Sequence, residues 1–203
     1  MITIHHSPLS RSNRVVWFCE EIGLEYRLEP VEMFSDAMRR PEYLAINPLG
    51  KVPAIEDDGF VLWETSAIMQ YLDAKYGANR LIPPRDTQAG ALAIQWLDYG
   101  ENPLTVIMGE IAAHSGPMPE ERRIPALVDR GRGIARELVD VIEQALGNRQ
   151  WILGDTFSAA DIMLAFGLMI ADHLNYVNDA TPRVSAYLQR AMARPAFLRS
   201  MSG

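Results

Sequence analysis

The spacing of apolar positions changes period several times within the first eighty residues. Ile2, Thr3 and Ile4 alternate up to His6, the two-residue period of a short strand. Ser7-Pro8-Leu9-Ser10 interrupts the pattern as a loop. Val15, Phe18, Cys19 and Ile22 then recur at i, i+3, i+4 and i+7, which predicts a helix with one apolar face, and Gly23 stands where that helix would end. Tyr26–Val31 returns to strand period. Strand, helix, strand in this order predicts parallel neighbours, because a helical crossover returns the chain in its original direction. Asp36–Leu44 predicts a short irregular helix. Lys51–Glu56 and Phe60–Trp63 predict an antiparallel hairpin about Asp57-Asp58-Gly59. Glu64 or Thr65 opens a further helix, with Ile68, Tyr71, Leu72 and Tyr76 on one face and Gly77 as its end.

Beyond Leu81 the pattern is helical throughout. Leu81-Ile82-Pro83-Pro84-Arg85-Asp86 marks a boundary, since two prolines cannot continue a helix, and Asp86 can cap the next one. Thr87–Ala113 predicts one long helix or two joined near Gly100–Pro103. Glu120–Leu146 predicts another, irregular at its start because of Pro125 and stopped by Gly147. Ser158-Ala-Ala-Asp161 is a capping-box pattern before an apolar run, and Pro182 and Pro195 open two short final helices. The expected architecture is an α/β domain over 1–79 of order β-α-β-α-β-β-α, a linker over 80–86 and an all-α domain over 87–203.

Composition narrows the function classes. The chain has 203 residues, enough to bury a core without disulfide or metal staples. Its net charge is −7, and no basic run interrupts it, which argues against nucleic acid or an anionic membrane as a partner. Cys19 is the only cysteine, so no intrachain disulfide forms and a reducing, cytoplasmic setting is expected. The N-terminal residues lack the charged and apolar runs of a secretory signal, and the apolar stretch near Ile162–Ala171 is too short to span a bilayer. His5 and His6 point to opposite faces of their strand, and with His114 and His173 they show no ligand spacing, so no metal is expected. There is no Cys-x-x-Cys for dithiol exchange and no glycine-rich phosphate loop. Cys19 sits on the apolar face of its helix, the place of a core thiol. Ser158 and Asp161 read as a structural cap.

Several segments, in order, resemble the cytosolic glutathione transferases, most of all bacterial members that use a serine. They are the serine loop before Arg14, Asn47-Pro48-Leu49-Gly50-Lys51-Val52-Pro53, and Glu64-Thr65-Ser66-Ala67-Ile68 with Tyr71-Leu72. Gly154–Asp161 and Arg194-Pro195-Ala196-Phe197 complete the set, which covers nearly the whole chain. The resemblance implies a thioredoxin-like N-terminal domain that binds glutathione, followed by the helical domain, which supplies a pocket for a small apolar electrophile. It also implies a homodimer and a role in detoxification. Glutathione is then a co-substrate, and no metal takes part. Glutathione-dependent isomerisation or peroxide reduction would use the same site, and a non-catalytic glutathione-binding or regulatory protein would keep the same fold.

An ordinary thiol, with a pKa of about 8.5, is mostly protonated at neutral pH, so such a site must stabilise a thiolate. A hydroxyl before a helix N-terminus can donate to that sulfur in a field that favours anions. Ser10 matches the family's serine before the arginine, Ser12 is the alternative, and Arg11 and Asn13 are neighbours. The plainer role of either serine is to cap the helix. By the same resemblance, Val52-Pro53 takes the family's cis-proline position, where Val52 pairs its backbone with the cysteinyl residue of glutathione. Glu64 would hold the γ-glutamyl ammonium and Thr65 the γ-glutamyl carboxylate, with Ser66 as a substitute donor, although Glu-Thr-Ser also suits any helix start. Lys51 would neutralise the glycyl carboxylate, with Arg39 and Arg40 as alternatives; the commoner role of such a lysine is a solvated surface charge. Trp96, Tyr99, Met108, Ile111 and His114 could line an electrophile pocket, but their helical spacing is equally that of core.

Overall fold

The computed structural model describes residues 1–33 and 35–202. Two compact units emerge, one of residues 1–81 with 194–203, the other of residues 82–193.

The first unit is built on a four-stranded sheet of order β2-β1-β3-β4. Strand β1 (Ile2–His6) pairs in parallel with β2 (Tyr26–Pro30) and antiparallel with β3 (Ala54–Asp57), which forms a hairpin with β4 (Phe60–Trp63). Strand β1 is buried nearly throughout because it is central, and Ile2, Ile4, His5 and His6 all lie inside. The crossover helix α1 (Ser12–Ile22) packs on β1, buries Val15, Phe18 and Cys19, and ends at Gly23, whose φ of 69° is the left-handed closure that glycine supplies freely. The irregular segment resolves into a 3₁₀ turn at Asp36–Arg39 and the one-turn helix α2 (Pro41–Leu44). Strand β3 starts at Ala54, later than Lys51, so Lys51, Val52 and Pro53 remain in a loop.

Helix α3 (Thr65–Lys75) buries Ile68, Met69 and Leu72. Tyr71 and Tyr76, expected on that apolar face, instead reach back to the hairpin turn. Their phenols donate to the buried Asp57 carboxylate at 2.6 and 2.9 Å, and the Lys75 ammonium adds a bond of 2.6 Å. Burial pushes the Asp57 carboxyl up, but the bonds from Lys75, Tyr71 and Tyr76 outweigh it and hold it below its ordinary range. The last helix, α9 (Pro195–Ser200), packs on α1 with Phe197 edge-on to Trp17 at 4.9 Å, and Arg194 grips Glu21 with two bonds of 2.7 Å.

The second unit is helical. Helix α4 (Gln88–Tyr99) is capped by Thr87, whose hydroxyl accepts from Gly90 N–H at 3.0 Å; the cap is therefore not Asp86. The chain breaks its helical course within Gly100–Thr105, where Asn102 is extended and Asn102–Pro103 is cis, then resumes as α5 (Val106–Ser115). Two helices are therefore present where one long one was the alternative. Helix α6 (Pro125–Leu146) starts at Pro125 and contributes Glu143, whose carboxylate accepts from Arg183 N–H and Val184 N–H and so caps α8 (Pro182–Met192) from outside. Helix α7 (Ala159–His173) forms the centre of the unit. Its capping box is complete, and Asp161 does more than cap: besides Ser158 N–H and hydroxyl, it accepts from Ile152 N–H at 2.9 Å and Tyr187 hydroxyl at 2.8 Å.

Two outcomes test these hubs. Because Asp161→Ala orphans several buried donors at once, it is expected to lower stability by about 3 kcal/mol or more in denaturant titration, beyond the ~0.5–2 kcal/mol of a simple cap. A depressed carboxyl such as Asp57 stabilises above its unfolded pKa of about 3.9 and loses that contribution as pH falls through its lower folded value. The melting temperatures of wild type and Asp57→Asn should therefore differ most near neutrality and converge below about pH 4.

Candidate functional site

Strand directions bring the three sequence motifs to one end of the first unit. The serine loop follows the C-terminal end of β1, Lys51-Val52-Pro53 precedes β3, and Glu64-Thr65 follows β4. Because β3 runs antiparallel to both β1 and β4, these ends coincide. His5 pairs with Ala54, and Ala54 with Trp63. Continued by one residue, that register brings Pro53 to the level of His6.

The loop between β1 and α1 turns sharply through Leu9, at φ 57°, and buries its polar groups. Ser10 donates its hydroxyl to Ser7 carbonyl oxygen at 2.7 Å and lies 2.7 Å from Ser12 Oγ. Ser12 N–H donates to Ser10 Oγ at 3.2 Å, so the same oxygen also takes the first N–H of α1. Ser12 Oγ accepts from Ser7 N–H at 3.1 Å and lies 2.8 Å from His6 Nδ1. Asn13 closes the turn: its side-chain oxygen accepts from Ser10 N–H, and its amide donates to the Ser200 carbonyl oxygen of α9. Ser10 is 6% exposed and Ser12 fully buried, so Ser10 is the serine nearer to solvent.

The second segment is held by its backbone. Lys51 carbonyl oxygen accepts from both Tyr43 hydroxyl and Asn47 amide at 2.7 Å. Gly50, at φ 57°, lets the chain pass so close to the 3₁₀ turn that a Cβ would collide with Met38 carbonyl oxygen. The Val52–Pro53 peptide is cis, both residues are buried, and Lys51 is exposed.

At the start of α3, Glu64 is exposed with φ 75° and ψ 117°, a costly conformation for a residue with a Cβ and one that concentrates at functional sites. Thr65 is buried, and its hydroxyl oxygen accepts from Arg14 Nη2 at 3.3 Å. Arg14, itself buried, thus joins the serine helix to the Glu64-Thr65 corner. In the sequence Arg14 stands only as a landmark and His6 only as a histidine without metal-ligand spacing; its place six residues before Ser12 carries no local signal. Burial lowers the His6 pKa and keeps the ring neutral.

Arg39 and Arg40 are exposed at the end of the 3₁₀ turn, and an Arg39 guanidinium nitrogen lies 3.4 Å from where a Cβ on Gly50 would stand. Trp96, Met108 and Ile111 are core of the second unit, whereas Tyr99 and His114 are half-buried; the Tyr99 hydroxyl donates to Leu138 carbonyl oxygen, and His114 accepts from Ile124 N–H. Among the described residues, no group of three or more His, Cys, Asp or Glu could hold a metal ion, and no helix is long and apolar enough to cross a membrane. Cys19 is fully buried, and burial pushes its thiol far up.

Residues 9–75 match the family description "Glutathione S-transferase, N-terminal domain" and residues 106–195 match "Glutathione S-transferase, C-terminal domain". Glutathione S-transferase F13 of Arabidopsis thaliana is 28% identical over 197 residues, covering 94% of this chain and 90% of that protein. The disulfide-bond oxidoreductase YfcG of Escherichia coli K12 is 32% identical over 169 residues, covering 80% and 76%. A crystal structure of a glutathione transferase from Burkholderia graminis, with two glutathione molecules bound per subunit, superposes at a TM-score of 0.89 with 29% identity, covering all of this chain and 88% of that one.

The buried, high-pKa thiol of Cys19 should resist alkylation in the folded protein at pH 8 and react at the rate of global unfolding. Mass-spectrometric timing of iodoacetamide addition checks this; rapid labelling of the native state would contradict the burial.

Proposed function

This chain belongs to the glutathione S-transferase family, and on that footing we propose that it binds glutathione, ionises its thiol and directs the thiolate onto a small apolar electrophile. The observation that carries the proposal is the meeting of the serine loop, the Val52–Pro53 segment and the Glu64-Thr65 corner at one end of the sheet. Each supplies what one part of the tripeptide requires. Val52 offers backbone groups to the cysteinyl residue in the manner of an added strand, beside the cis Pro53. Glu64 holds the γ-glutamyl ammonium. Thr65, through its hydroxyl and N–H at the head of α3 and with the Arg14 guanidinium behind it, holds the γ-glutamyl carboxylate. Lys51, exposed on a segment anchored by Tyr43 and Asn47, neutralises the glycyl carboxylate.

Ser10 is the thiolate partner in this reading. Its hydroxyl proton, resting on Ser7 carbonyl oxygen, turns to the sulfur and lowers the thiol pKa by favouring S⁻. Ser12 is more deeply buried and committed on all sides. The thiolate then forms the carbon–sulfur bond as the leaving group departs with its electron pair, or adds to an activated double bond. Catalysis comes from orientation and from a donor already placed for the anion. The proposal includes a homodimer in the cytoplasm and a detoxifying role, supported by the family likeness and, for the compartment, by a single cysteine that is buried. The charge of −7 supports partners other than nucleic acid or an anionic membrane.

A second reading follows from the E. coli relative's name. Thiolate attack on a disulfide would give a mixed disulfide and release a thiol, and a second glutathione would complete the exchange to oxidised glutathione. Cys19 is too buried to contribute, so both sulfurs would come from glutathione. Parallel assays with an aryl halide and with a small disulfide plus two equivalents of glutathione separate the readings.

Ser10→Ala should raise the bound thiol's pKa, read from thiolate ultraviolet absorbance against pH. It should also lower turnover at neutral pH on the order of a hundredfold, with glutathione affinity within about threefold of wild type. An unchanged titration would transfer the role to Ser12.

A further inference from the structure

The proton count in the serine loop reaches back to His6. Three contacts there are short: His6 Nδ1 to Ser12 Oγ at 2.8 Å, Ser12 Oγ to Ser10 Oγ at 2.7 Å, and Ser10 Oγ to Ser7 carbonyl oxygen at 2.7 Å. Ser7 oxygen can only accept; Ser12 Oγ also lies 3.1 Å from it, but the shorter contact, at 2.7 Å, is that of Ser10, so Ser10 donates to it. The proton between the two hydroxyls then belongs to Ser12, and the proton between Ser12 and the ring belongs to His6. If the ring carried its proton on Nε2 instead, the hydroxyls would have two protons for three contacts, and one contact would set oxygen against oxygen with none between. Nε2 is also buried and meets no hydrogen-bond partner among the described residues, so a proton there would be an orphaned donor.

We propose that His6, as the Nδ1–H tautomer, is a positioning residue that heads a one-way donor chain through Ser12 to Ser10. The proposal rests on Ser10 being the thiolate partner. His6 N–H donates to Ser12 oxygen, Ser12 O–H donates to Ser10 oxygen, and Ser10 O–H is left as the terminal donor, on Ser7 at rest and on sulfur when glutathione binds. Ser12 N–H donates into the same Ser10 oxygen. Two donors into that oxygen make its own proton a stronger donor, since bonds in a chain polarise one another in a water-poor setting. They also prevent Ser10 from acting as an acceptor towards the thiol, which would favour the protonated sulfur. No proton moves along the chain; it fixes direction. Burial of His6, 4% exposed, keeps the ring neutral and the tautomer set by its single partner.

Two polar variants of similar size test this. In His6→Asn the amide nitrogen falls where Nδ1 stands and can still donate to Ser12. In His6→Gln the amide falls nearer the Nε2 position. Each is titrated with bound glutathione by thiolate absorbance, alone and combined with Ser10→Ala, and glutathione affinity is measured below the thiol pKa. The expected result is a bound-thiol pKa close to wild type in His6→Asn and raised by about one unit in His6→Gln, a roughly tenfold loss of thiolate at a pH below both values. Affinity should stay within about threefold, and the Gln change should add nothing once Ser10 is alanine. Equal titrations for the two variants overturn the chain, as does a Gln effect that persists without Ser10. If Ser10→Ala raises the pKa while His6→Gln does not, Ser10 stands and His6 falls. If Ser10→Ala itself leaves the titration unchanged, both fall.

Discussion

The contact between the Ser10 and Ser12 hydroxyls, 2.7 Å apart in a buried loop, sets the terms for the whole end of the first unit. Hydroxyls removed from water must find partners, and here they find them in each other, in both peptide groups of Ser7 and in the ring of His6. That mutual satisfaction pins the exit of β1 to the entrance of α1. Asn13 extends the constraint by holding the Ser10 N–H on one side and the Ser200 carbonyl oxygen on the other. The helix thus begins at a defined place, and Ser10 is held with one proton to offer.

The rest of the site is held with the same economy of movement. Gly50 allows an approach to Met38 that no other residue could make, while Tyr43 and Asn47 both grip the carbonyl oxygen of Lys51. Arg14, planted in α1 two residues after Ser12, reaches Thr65 at the head of α3. Several of the groups that the proposed function assigns to a charged tripeptide are therefore held by packing and by backbone bonds. A donor already oriented stabilises an anion more than one that must reorganise.

Much of this architecture was legible in the chain. The change from two-residue to four-residue period located β1 and α1, and Gly23 and Gly147 lie just past the helices they were expected to end. The Ser158–Asp161 spacing located its capping box. Helical face alone misplaces two side chains. Tyr71 and Tyr76 share a helical face with Ile68, yet their hydroxyls are drawn to Asp57 on the hairpin, because a buried carboxylate attracts donors that an apolar face would have to leave unpaired. Asp86 and Thr87 both have cap chemistry, and only the backbone path through Pro84 put Thr87 in reach of Gly90.

By itself the sequence determined the elements, because period, caps and turn residues act within a few positions of one another. It also determined which residue types were on hand for the proposed site: hydroxyls before a helix, a proline after valine, a carboxylate and a hydroxyl at a helix start. Only the tertiary structure decided their company. The antiparallel placing of β3 between β1 and β4 gathered three loops, drawn from across some sixty residues of chain, at one end of the sheet. It was burial that turned His6 from one of two adjacent histidines into the partner of Ser12, because a polar ring cut off from water must bond to whatever polar atom the fold sets beside it.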